Sequence, residues 1–441
     1  MSILAGLAET LQRILGPSLD QLGQDAGLIQ RVRKFSGASL VKTIVLTVMK
    51  RGQPTPLDYV TTASLLGVHV TQRGLGKRFT PKLVAFLRRV LEELLEQSFD
   101  AAPAAVPLLE KFTAVFVGDS TTLALPDDYA AEFPGCGGKS GSGKAALKIQ
   151  VLWNLATGKL TKLLLEPGRQ HDSRSAALEE SPPAGSVTIY DLAYFDLKRF
   201  RKWACDGAFW ISRLQTGTVT RSDDGLAFNL LDHLKRQPAG GRLDEWILLG
   251  AEERLKCRVI ALRAPQDVAA RRRRKAYEKA QKHGQTPSAR HLAWCDWTVF
   301  VTNCPAELVT WKEVVVLYRS RWQIEIMFKL WKSHNKLATD RAGTSPEQRM
   351  AELWAKMIGV LLQHWILLTT SWPQIGRSLW TAAGLIRDRL TILIDALDDL
   401  GRLIQKLSEL EVAITKIAKV GTRKKEPSWF QLLLNPELLT W

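Results

Sequence analysis

The sequence predicts an α/β fold in which a central domain of strands and helices, interrupted by a β-rich insertion, lies between two helical segments. Residues 1–105 follow helical periodicity, β-branched and alternating runs begin only after the linker AAPAAVP (101–107), and residues 376–441 are helical again. Of the 441 residues, 46% are hydrophobic, which is enough to bury a core in two or three domains.

The central domain opens with four runs that we expect to be strands, because they are β-branched or alternating and are separated by turn residues. These runs are TAVFVGDS, AALKIQVLWNLATG, KLTKLLLEPG and SVTIYDLAYF. Short helical patterns occur in SRSAALEE, before the fourth run, and in DLKRFRKWACDG, after it. This order is that of a ribonuclease H-like α/β domain, which we assign to residues 106–214 and 296–375.

Residues 215–295 break this order and predict the insertion. They contain the strand-like pieces EWILLG and CRVIALRA, followed by a polar run that holds four consecutive arginines. The central domain resumes with the strand DWTVFVTN and with one long helix over residues 316–334.

The helical C-terminal segment carries a heptad pattern of apolar residues. Packing of such a short pattern against the chain's own domain is the commoner outcome, and pairing of two subunits is the alternative. The positions concerned are Leu390, Leu393, Leu397, Leu400, Ile404, Leu407 and Ile414.

The charge balance favours a polyanionic partner. Lys and Arg number 61 against 44 for Asp and Glu, a formal net charge of +17. Nucleic acid is the first candidate and an anionic membrane surface the second. The sequence shows no secretory signal pattern, and the apolar run 357–370 is too short to cross a bilayer, so we expect a cytoplasmic protein.

The five cysteines include no Cys-x-x-Cys pair, so neither a disulfide framework nor a zinc site is indicated. A metal would instead be held by carboxylates, which suit magnesium.

Two further motifs have alternative interpretations. TTASLLGVHVTQRGLGKRF resembles a helix-turn-helix whose basic second element carries Arg73, Lys77 and Arg78, but an ordinary helical hairpin with a solvated basic face fits equally well. GKSGSGKA (138–145) nearly matches a nucleotide-binding P-loop. However, Ala145 stands where Ser or Thr would bind magnesium and a strand follows, so we expect a basic loop and no nucleotide cofactor.

The stretch VLYRSRWQIEIMFKLWKSH (316–334) places charged residues on one face of its predicted helix. At about 100° per residue, Tyr318, Arg321, Glu325, Lys329 and Lys332 fall on one narrow stripe. A solvated helix face also mixes charges in this way, so geometry alone does not assign a function.

The pattern Tyr-x2-Arg-x3-Glu-x6-Lys in this stretch resembles the Tyr-Arg-Glu-Lys signature of bacterial insertion-sequence DDE transposases of the cut-and-paste group. The resemblance covers most of residues 106–375. It implies that Asp119, at the end of the first strand, and Asp191, at the end of the fourth, join Glu325 as catalytic, metal-binding carboxylates. From local sequence alone Asp119 could merely cap a strand, and Asp196, which competes with Asp191, stands where a helix N-cap is expected.

The resemblance also implies cofactors and partners. Two Mg²⁺ ions, with Mn²⁺ able to substitute, would be about 3.5–4 Å apart. The partners would be double-stranded DNA, as transposon ends and target, and a second copy of the chain in a synaptic homodimer. DNA-binding side chains would be Tyr318, Arg321, Lys329 and Lys332. The helix-turn-helix interpretation adds Arg73, Lys77 and Arg78. Arg271 and Arg272 of the insertion would contact phosphates, although a basic run such as 271–275 is more often a solvated face.

On this interpretation the chain is a transposase that excises its element through a DNA hairpin and joins it to target DNA. Two alternatives stay open: a non-catalytic relative that binds ends, and a ribonuclease H-like nuclease without end specificity.

Overall fold

The computed structural model describes residues 3–31, 33–97, 99, 102–137, 143–238, 241–338, 343–421 and 426–440. Within these residues, ten strands form one mixed sheet in the order β3-β2-β1-β4-β5-β10-β9-β8-β6-β7. The strands are β1 Val115–Ala124, β2 Ala146–Asn154, β3 Leu160–Pro167, β4 Val187–Tyr190, β5 Phe209–Arg213, β6 Thr220–Arg221, β7 Ala227–Phe228, β8 Arg242–Leu249, β9 Leu255–Arg263 and β10 Trp297–Thr302.

Strand direction decides which side chains meet at the edge of the sheet. β1 runs antiparallel to β2 and parallel to β4, and β4 runs parallel to β5. The carboxyl ends of β1, β4 and β5 therefore point the same way. β10 pairs antiparallel with both β5 and β9, so the strands of the insertion extend the same sheet.

The predicted strands are confirmed at β1 to β4, at β10 and, in the insertion, at β8 and β9. β5, FWISR, was not predicted from the sequence; three of its consecutive residues are buried. SRSAALEE was expected to be helical but forms parts of two 3-10 turns, 172–174 and 176–178, because Ser175 lies between them in extended conformation. The residues that follow Gly143 form β2 as expected, whereas positions 138–142 of the P-loop-like motif lie outside the described residues.

Seven helices of the described residues precede the sheet. They are α1 Ile3–Ile14, α2 Ser18–Asp25, α3 Gly37–Arg51, α4 Pro56–Leu65, α5 Gln72–Gly76, α6 Pro81–Glu96 and α7 Pro107–Glu110. The predicted helical hairpin is α4 and α5. α5 has only five residues, because Thr71 caps its start and the chain leaves the helix at Lys77.

The later helices lie between β4 and β5, in the insertion, after β10 and at the C-terminal side. They are α8 Leu197–Cys205, α9 Leu230–Lys235, α10 Gln266–Gln281, α11 Ala289–Trp294, α12 Trp311–Ser320, α13 Trp322–Lys329, α14 Pro346–Ser371, α15 Leu379–Asp388, α16 Leu390–Asp395, α17 Leu400–Ile417 and α18 Trp429–Leu434. The first part of the polar run of the insertion, residues 271–281, lies within α10.

Helix α14 is the centre of the helical core. Its 26 residues are apolar enough to cross a membrane by length and composition, but the apolar window is fully buried inside the protein. α3 and α6 pack on it from the N-terminal side and α17 from the C-terminal side. The Tyr59 hydroxyl donates to Glu352 of α14 over 3.0 Å. α14 is therefore a core helix that joins both ends of the chain to the sheet.

The C-terminal heptad positions pack within the chain. Leu393, Leu397, Leu407 and Ile414 are buried, the last two completely. α17 contacts α1, α14 and α15, and the pattern is interrupted between α16 and α17. These side chains are consequently not available to pair two subunits.

Candidate active site

Asp119 lies in the middle of β1 and not at its end, which corrects the sequence expectation. β1 continues to Ala124 because β2 pairs with it along that length, with Asp119 opposite Val151. The parallel pairing with β4 stops earlier, at Gly118 opposite Tyr190. Asp119 is thus the first residue of β1 beyond β4.

Asp191 follows the last residue of β4 directly, as expected from the sequence. The ring of Tyr190 lies over Gly118: a Cβ atom at Gly118 would stand 1.8 Å from a Tyr190 ring carbon. This close approach requires glycine. Because Gly118 and Tyr190 are paired, the two aspartates that follow them come to the same edge of the sheet. The competing Asp196 caps α8 by accepting from the Arg199 backbone N–H.

Glu325 reaches this edge from α13. The long helix expected over residues 316–334 is helical throughout but is not one α-helix. The regular hydrogen bonding is interrupted at Arg321, between α12 and α13, and a π-helical turn follows at residues 330–334. A capping box of Thr310 and Glu313 fixes the start of α12, and α13 packs on β1.

Arg321 binds two of the three carboxylates. Its Nη1 lies 2.9 Å from Asp119 Oδ2 and its Nη2 lies 2.6 Å from Glu325 Oε1. Only 14% of the Arg321 side chain is exposed. The guanidinium therefore joins β1 to α13 through charge-assisted hydrogen bonds at the point where the acidic side chains converge.

The electrostatics of Asp119 reflect this convergence. Burial raises the pKa of Asp119 to about 6, and the negative charges of Asp191 and Glu325 act in the same direction. The backbone N–H of Ser120, which donates to Asp119 Oδ1 over 2.8 Å, and the charge of Arg321 oppose the rise. Asp191 also acts on the pKa values of Tyr318 and Arg321, so its charge belongs to the same cluster.

The donor set suits a hard divalent cation, because three carboxylates at one edge supply the oxygen ligands that Mg²⁺ and Mn²⁺ accept. In the part of the chain that is described, no three His, Cys, Asp or Glu side chains are arranged to hold one ion. The guanidinium of Arg321 lies between Asp119 and Glu325 instead. The ligand chemistry thus fits a metal, and Arg321 occupies the position between two of the ligands.

The other residues of the signature lie near the carboxylates but differ in burial and in hydrogen-bond partners. Tyr318 packs edge-to-face on Phe300 of β10, and burial raises the pKa of its phenol. Lys332 Nζ donates to the Thr122 carbonyl of β1 over 3.1 Å. Lys329 is exposed. The helix segment 318–332 therefore lies along β1, with both buried and exposed polar groups.

A polar network that was not predicted from the sequence lies behind Asp119. Asp172 Oδ1 accepts from the Ser120 hydroxyl at 2.8 Å, from Lys148 Nζ at 3.0 Å and from Gln150 Nε2 at 3.1 Å. These groups come from β1, β2 and the 3-10 turn that follows β3. The one signal in the sequence is the placement of polar residues within the apolar run of β2.

Arg213, at the end of β5, was missed for a different reason. Its charge lowers the pKa of Tyr318 against the effect of burial, so it lies near the signature. Because β5 was not predicted as a strand, the sequence offered no signal for its position.

The predicted basic residues of the N-terminal domain contribute to a larger cationic cleft of about 640 Å³. Lys77 and Arg78 line it, but Arg73 does not. The loop between α2 and α3 supplies two more arginines, Arg31 and Arg33, and α6 supplies Lys82. Arg31 and Arg33 were missed because they are distant from Lys77 in sequence.

The two arginines predicted in the insertion have different environments. Arg271 is exposed and pairs with Asp267, one turn earlier on α10, at 3.0 Å. Arg272 is partly buried and donates to the carbonyls of Cys295 and Trp297 and to the Thr298 hydroxyl. Arg272 therefore anchors α10 on β10, whereas Arg271 faces solvent.

Comparison with known proteins gives a consistent result. Residues 110–361 match the family model described as a transposase DDE domain. The transposase for insertion sequence element IS231F of Bacillus thuringiensis subsp. israelensis is 26% identical to this chain, over 98% of the chain and 95% of that protein. The IS231C transposase of Bacillus thuringiensis subsp. berliner is 27% identical, over 97% and 94%. The IS1151 transposase of Clostridium perfringens is 24% identical, over 68% of this chain and 67% of that protein.

The residues matched by the family model include Asp119, Asp191 and Glu325 and make up more than half of the chain. The chain therefore belongs to the DDE transposase family of bacterial insertion sequences.

Proposed function

We propose that this transposase binds the terminal inverted repeats of its own element and cleaves the adjoining phosphodiester bonds with Asp119, Asp191 and Glu325 as ligands of two divalent metal ions. The observation that carries the proposal is the convergence of these carboxylates, from two parallel strands and one helix, at one edge of the sheet. Tyr318, Arg321, Glu325 and Lys332 would then form the Tyr-Arg-Glu-Lys signature.

The fold supports a ribonuclease H-like assignment of the catalytic domain. Its first five strands lie in the order β3-β2-β1-β4-β5, with β2 antiparallel to both neighbours and β4 parallel to both of its own. We propose residues 106–214 and 296–375 as this domain and 215–295 as its insertion. Residues 1–105 would be the DNA-binding domain and 376–441 a helical segment that supports it.

The side chains of this site have separate roles in the proposed reaction. Divalent ions supply activation of the attacking oxygen and stabilisation of the leaving oxygen. Asp119, Asp191 and Glu325 hold that positive charge at the sheet edge. Arg321 and Lys332 bind phosphates beside the scissile bond, and the protonated phenol of Tyr318 donates to another phosphate oxygen. Burial raises the pKa of Tyr318 further above neutral pH, so this phenol is protonated and can donate.

DNA would be bound over a surface wider than the active site. The cleft lined by Arg31, Arg33, Lys77, Arg78 and Lys82 is positively charged and open to solvent, as binding of a duplex backbone requires. Arg73 is exposed next to it, on α5, and Arg271 is exposed on the insertion. α5 is only five residues long, so we propose that this cleft contributes phosphate contacts and not base-specific ones.

The experiment uses purified protein and a short duplex that carries the terminal repeat of the element, with and without Mg²⁺ or Mn²⁺, with products separated on a denaturing gel. We expect a metal-dependent nick or hairpin at the element boundary. Asp191→Asn and Glu325→Gln should each lower cleavage by more than about 100-fold while end binding on a native gel is retained. The matched control is Asp128→Asn, an exposed turn carboxylate.

Three results would lead to other conclusions. Binding of ends without cleavage under either metal would identify a non-catalytic end-binding protein. Cleavage that unrelated duplex competes away equally would identify a nuclease without end specificity. Full cleavage by Glu325→Gln would remove Glu325 from the site. Mass measurement of the complex tests the proposed synaptic homodimer.

A further inference from the structure

Under the proposed function, on which this inference rests, Asp119, Asp191 and Glu325 must bind metal, yet Arg321 binds two of them. We propose that Arg321 exchanges partners: in the DNA-free protein it occupies the position between Asp119 and Glu325, and a DNA phosphate at the active site draws it away. Divalent-ion binding would then be weak in the free protein and strong in the complex with a DNA end.

The hydrogen bonds at Asp119 show why Arg321 and a metal ion compete. Asp119 Oδ2 accepts from Arg321 at 2.9 Å and its Oδ1 accepts from the Ser120 backbone N–H at 2.8 Å. Glu325 Oε1 accepts from the other arm of the guanidinium at 2.6 Å. A cation held by Asp119 and Glu325 would compete with Arg321 for Asp119 Oδ2 and Glu325 Oε1, which the guanidinium already binds.

The charges at the site favour binding of Arg321 to the carboxylates when no DNA is bound. The guanidinium supplies one positive charge to three carboxylates whose charges act on one another at Asp119. Without that charge, three anionic groups would share one partly buried edge. Arg321 therefore supplies, in the free protein, part of the compensation that a divalent ion would give.

Arg321 also has a reason to change partners. Its Nε is buried and has no hydrogen-bond partner, so two of the donor positions of its guanidinium are used by carboxylates while a third is unsatisfied. A phosphate accepts two parallel N–H bonds from a guanidinium. Arg321 stands at the interruption between α12 and α13, where its backbone N–H donates to Tyr318 three residues earlier. The backbone of Arg321 therefore lacks regular α-helical hydrogen bonding at this junction.

The exchange predicts a thermodynamic coupling. If a DNA end raises the affinity for metal, then metal raises the affinity for the DNA end by the same factor. The coupling would prevent the protein from assembling a complete metal centre on its own, and so from cleaving DNA at random encounters.

The test measures Mn²⁺ binding, by the electron paramagnetic resonance of the free ion, to the full-length protein with and without DNA. The duplex has a 3′ end that already coincides with the element boundary, so hydrolysis does not alter it during the titration. For the wild-type protein we expect Mn²⁺ affinity to rise about tenfold or more when this duplex is bound, in the usual range of coupling between sites.

Two variants identify the cause. Arg321→Gln should bind Mn²⁺ without DNA about tenfold more tightly than wild type, and the effect of DNA on its affinity should largely disappear. Lys198→Gln removes the same charge from an exposed side chain of α8, outside the proposed DNA-binding residues, and should change Mn²⁺ affinity by less than about threefold. Circular dichroism and the Tm of each variant establish that it is folded.

The outcomes separate this inference from the proposed function. Tight Mn²⁺ binding by the wild-type protein without DNA, or equal effects of the two variants, would overturn the exchange and leave the carboxylate site intact. If neither wild type nor Arg321→Gln binds Mn²⁺ with DNA present, and Glu325→Gln behaves identically, both the exchange and the proposed metal site are overturned. The wild-type comparison needs no variant and decides the matter even if Arg321→Gln fails to fold.

Discussion

At the scale of single residues, the position of the acidic site depends on uncharged neighbours as much as on the carboxylates. Gly118 allows the ring of Tyr190 to lie against β1, and Tyr190 stacks in turn on Tyr194 with 4.6 Å between ring centroids. Tyr194 donates to Gln150 of β2 over 2.7 Å. The aspartates at the edge are thus fixed by packing that spans β1, β2 and β4.

Replacement of Gly118 by alanine should disturb this packing. The new Cβ would stand 1.8 Å from the Tyr190 ring, so the ring or the strand must move. We expect a loss of about 1–3 kcal/mol in the free energy of unfolding, as for other overpacked cores, together with loss of cleavage. Urea unfolding and the gel assay measure the two effects. Gly6→Ala is the matched control, since a Cβ there meets nothing within 4 Å, and an equal loss in both variants would refute the explanation.

Asp172 provides a second test at this scale. Burial acts to raise its pKa, but hydrogen bonds from Lys148 and Ser120 outweigh burial and lower the pKa below its usual value. Asp172→Asn would leave Lys148, whose side chain is only 10% exposed, without its counterion. We expect a loss of roughly 2–3 kcal/mol in the free energy of unfolding, less than for a fully buried pair because Asp172 is partly exposed.

Urea unfolding near neutral pH measures this loss. Glu180→Gln is the control, because it removes an exposed partner of Lys162 and should change stability little. If Asp172→Asn is as stable as Glu180→Gln, the network behind Asp119 does not support the fold.

At the scale of elements, the sequence predicted the types of most helices and strands but not their interruptions. The stripe over residues 316–334 assumes a continuous α-helix. The interruption at Arg321 alters the angular position of Tyr318 relative to Glu325, and the π-helical turn alters that of Lys332. α13 contacts β1 and the π-helical turn contacts α15, and local sequence does not reveal such contacts. β5 was missed for the related reason that a five-residue buried strand carries little periodicity.

A buried histidine of helix α14 should make the free energy of unfolding depend on pH. His364 is buried and its Nε2 lies 2.9 Å from the carbonyl oxygen of Gly158, which also accepts from the Trp153 indole. Burial lowers the pKa of His364 to about 4, and the charge of Arg377 adds to the effect. The neutral ring therefore links α14 to the turn between β2 and β3.

Because the unfolded chain binds a proton at His364 near pH 6.5 and the folded chain near pH 4, the unfolded state binds more protons between these values. The free energy of unfolding must then fall as the pH is lowered. We expect the wild type to lose about 2 kcal/mol more than His364→Gln between pH 7 and pH 5, in urea unfolding at both values. His283→Gln, at an exposed position, should follow the wild type. Parallel declines for wild type and His364→Gln would exclude this histidine as the cause.

At the scale of the whole molecule, features whose residues lie within one segment could be predicted from sequence, whereas features formed by distant segments could not. The three proposed metal ligands could be named from sequence because Asp119 and Asp191 stand beside apolar strand patterns and Glu325 stands in a signature within one segment. The cationic cleft was only half predicted, since Lys77 and Arg78 lie in a motif while Arg31 and Arg33 come from a loop that folding brings beside them. The heptad positions of the C-terminal segment were identified, but their partners, α1, α14 and α15, follow only from the assembled core.

The net charge of +17 and the placement of the cleft predict how DNA binding responds to salt. Each phosphate neutralised by a cation contributes about −0.9 to the slope of log K against log salt concentration. Arg33→Ala and Lys77→Ala should each make that slope less steep by about 1, and weaken binding to terminal-repeat and unrelated duplex alike.

The control Lys235→Ala removes an exposed cation that lies 3.5 Å from Asp232 on the insertion, and its slope should equal that of the wild type. Fluorescence anisotropy over a range of salt concentrations gives the slopes. If the cleft variants lose affinity for the terminal repeat alone, these residues read sequence, and the cleft is a recognition site for the repeat.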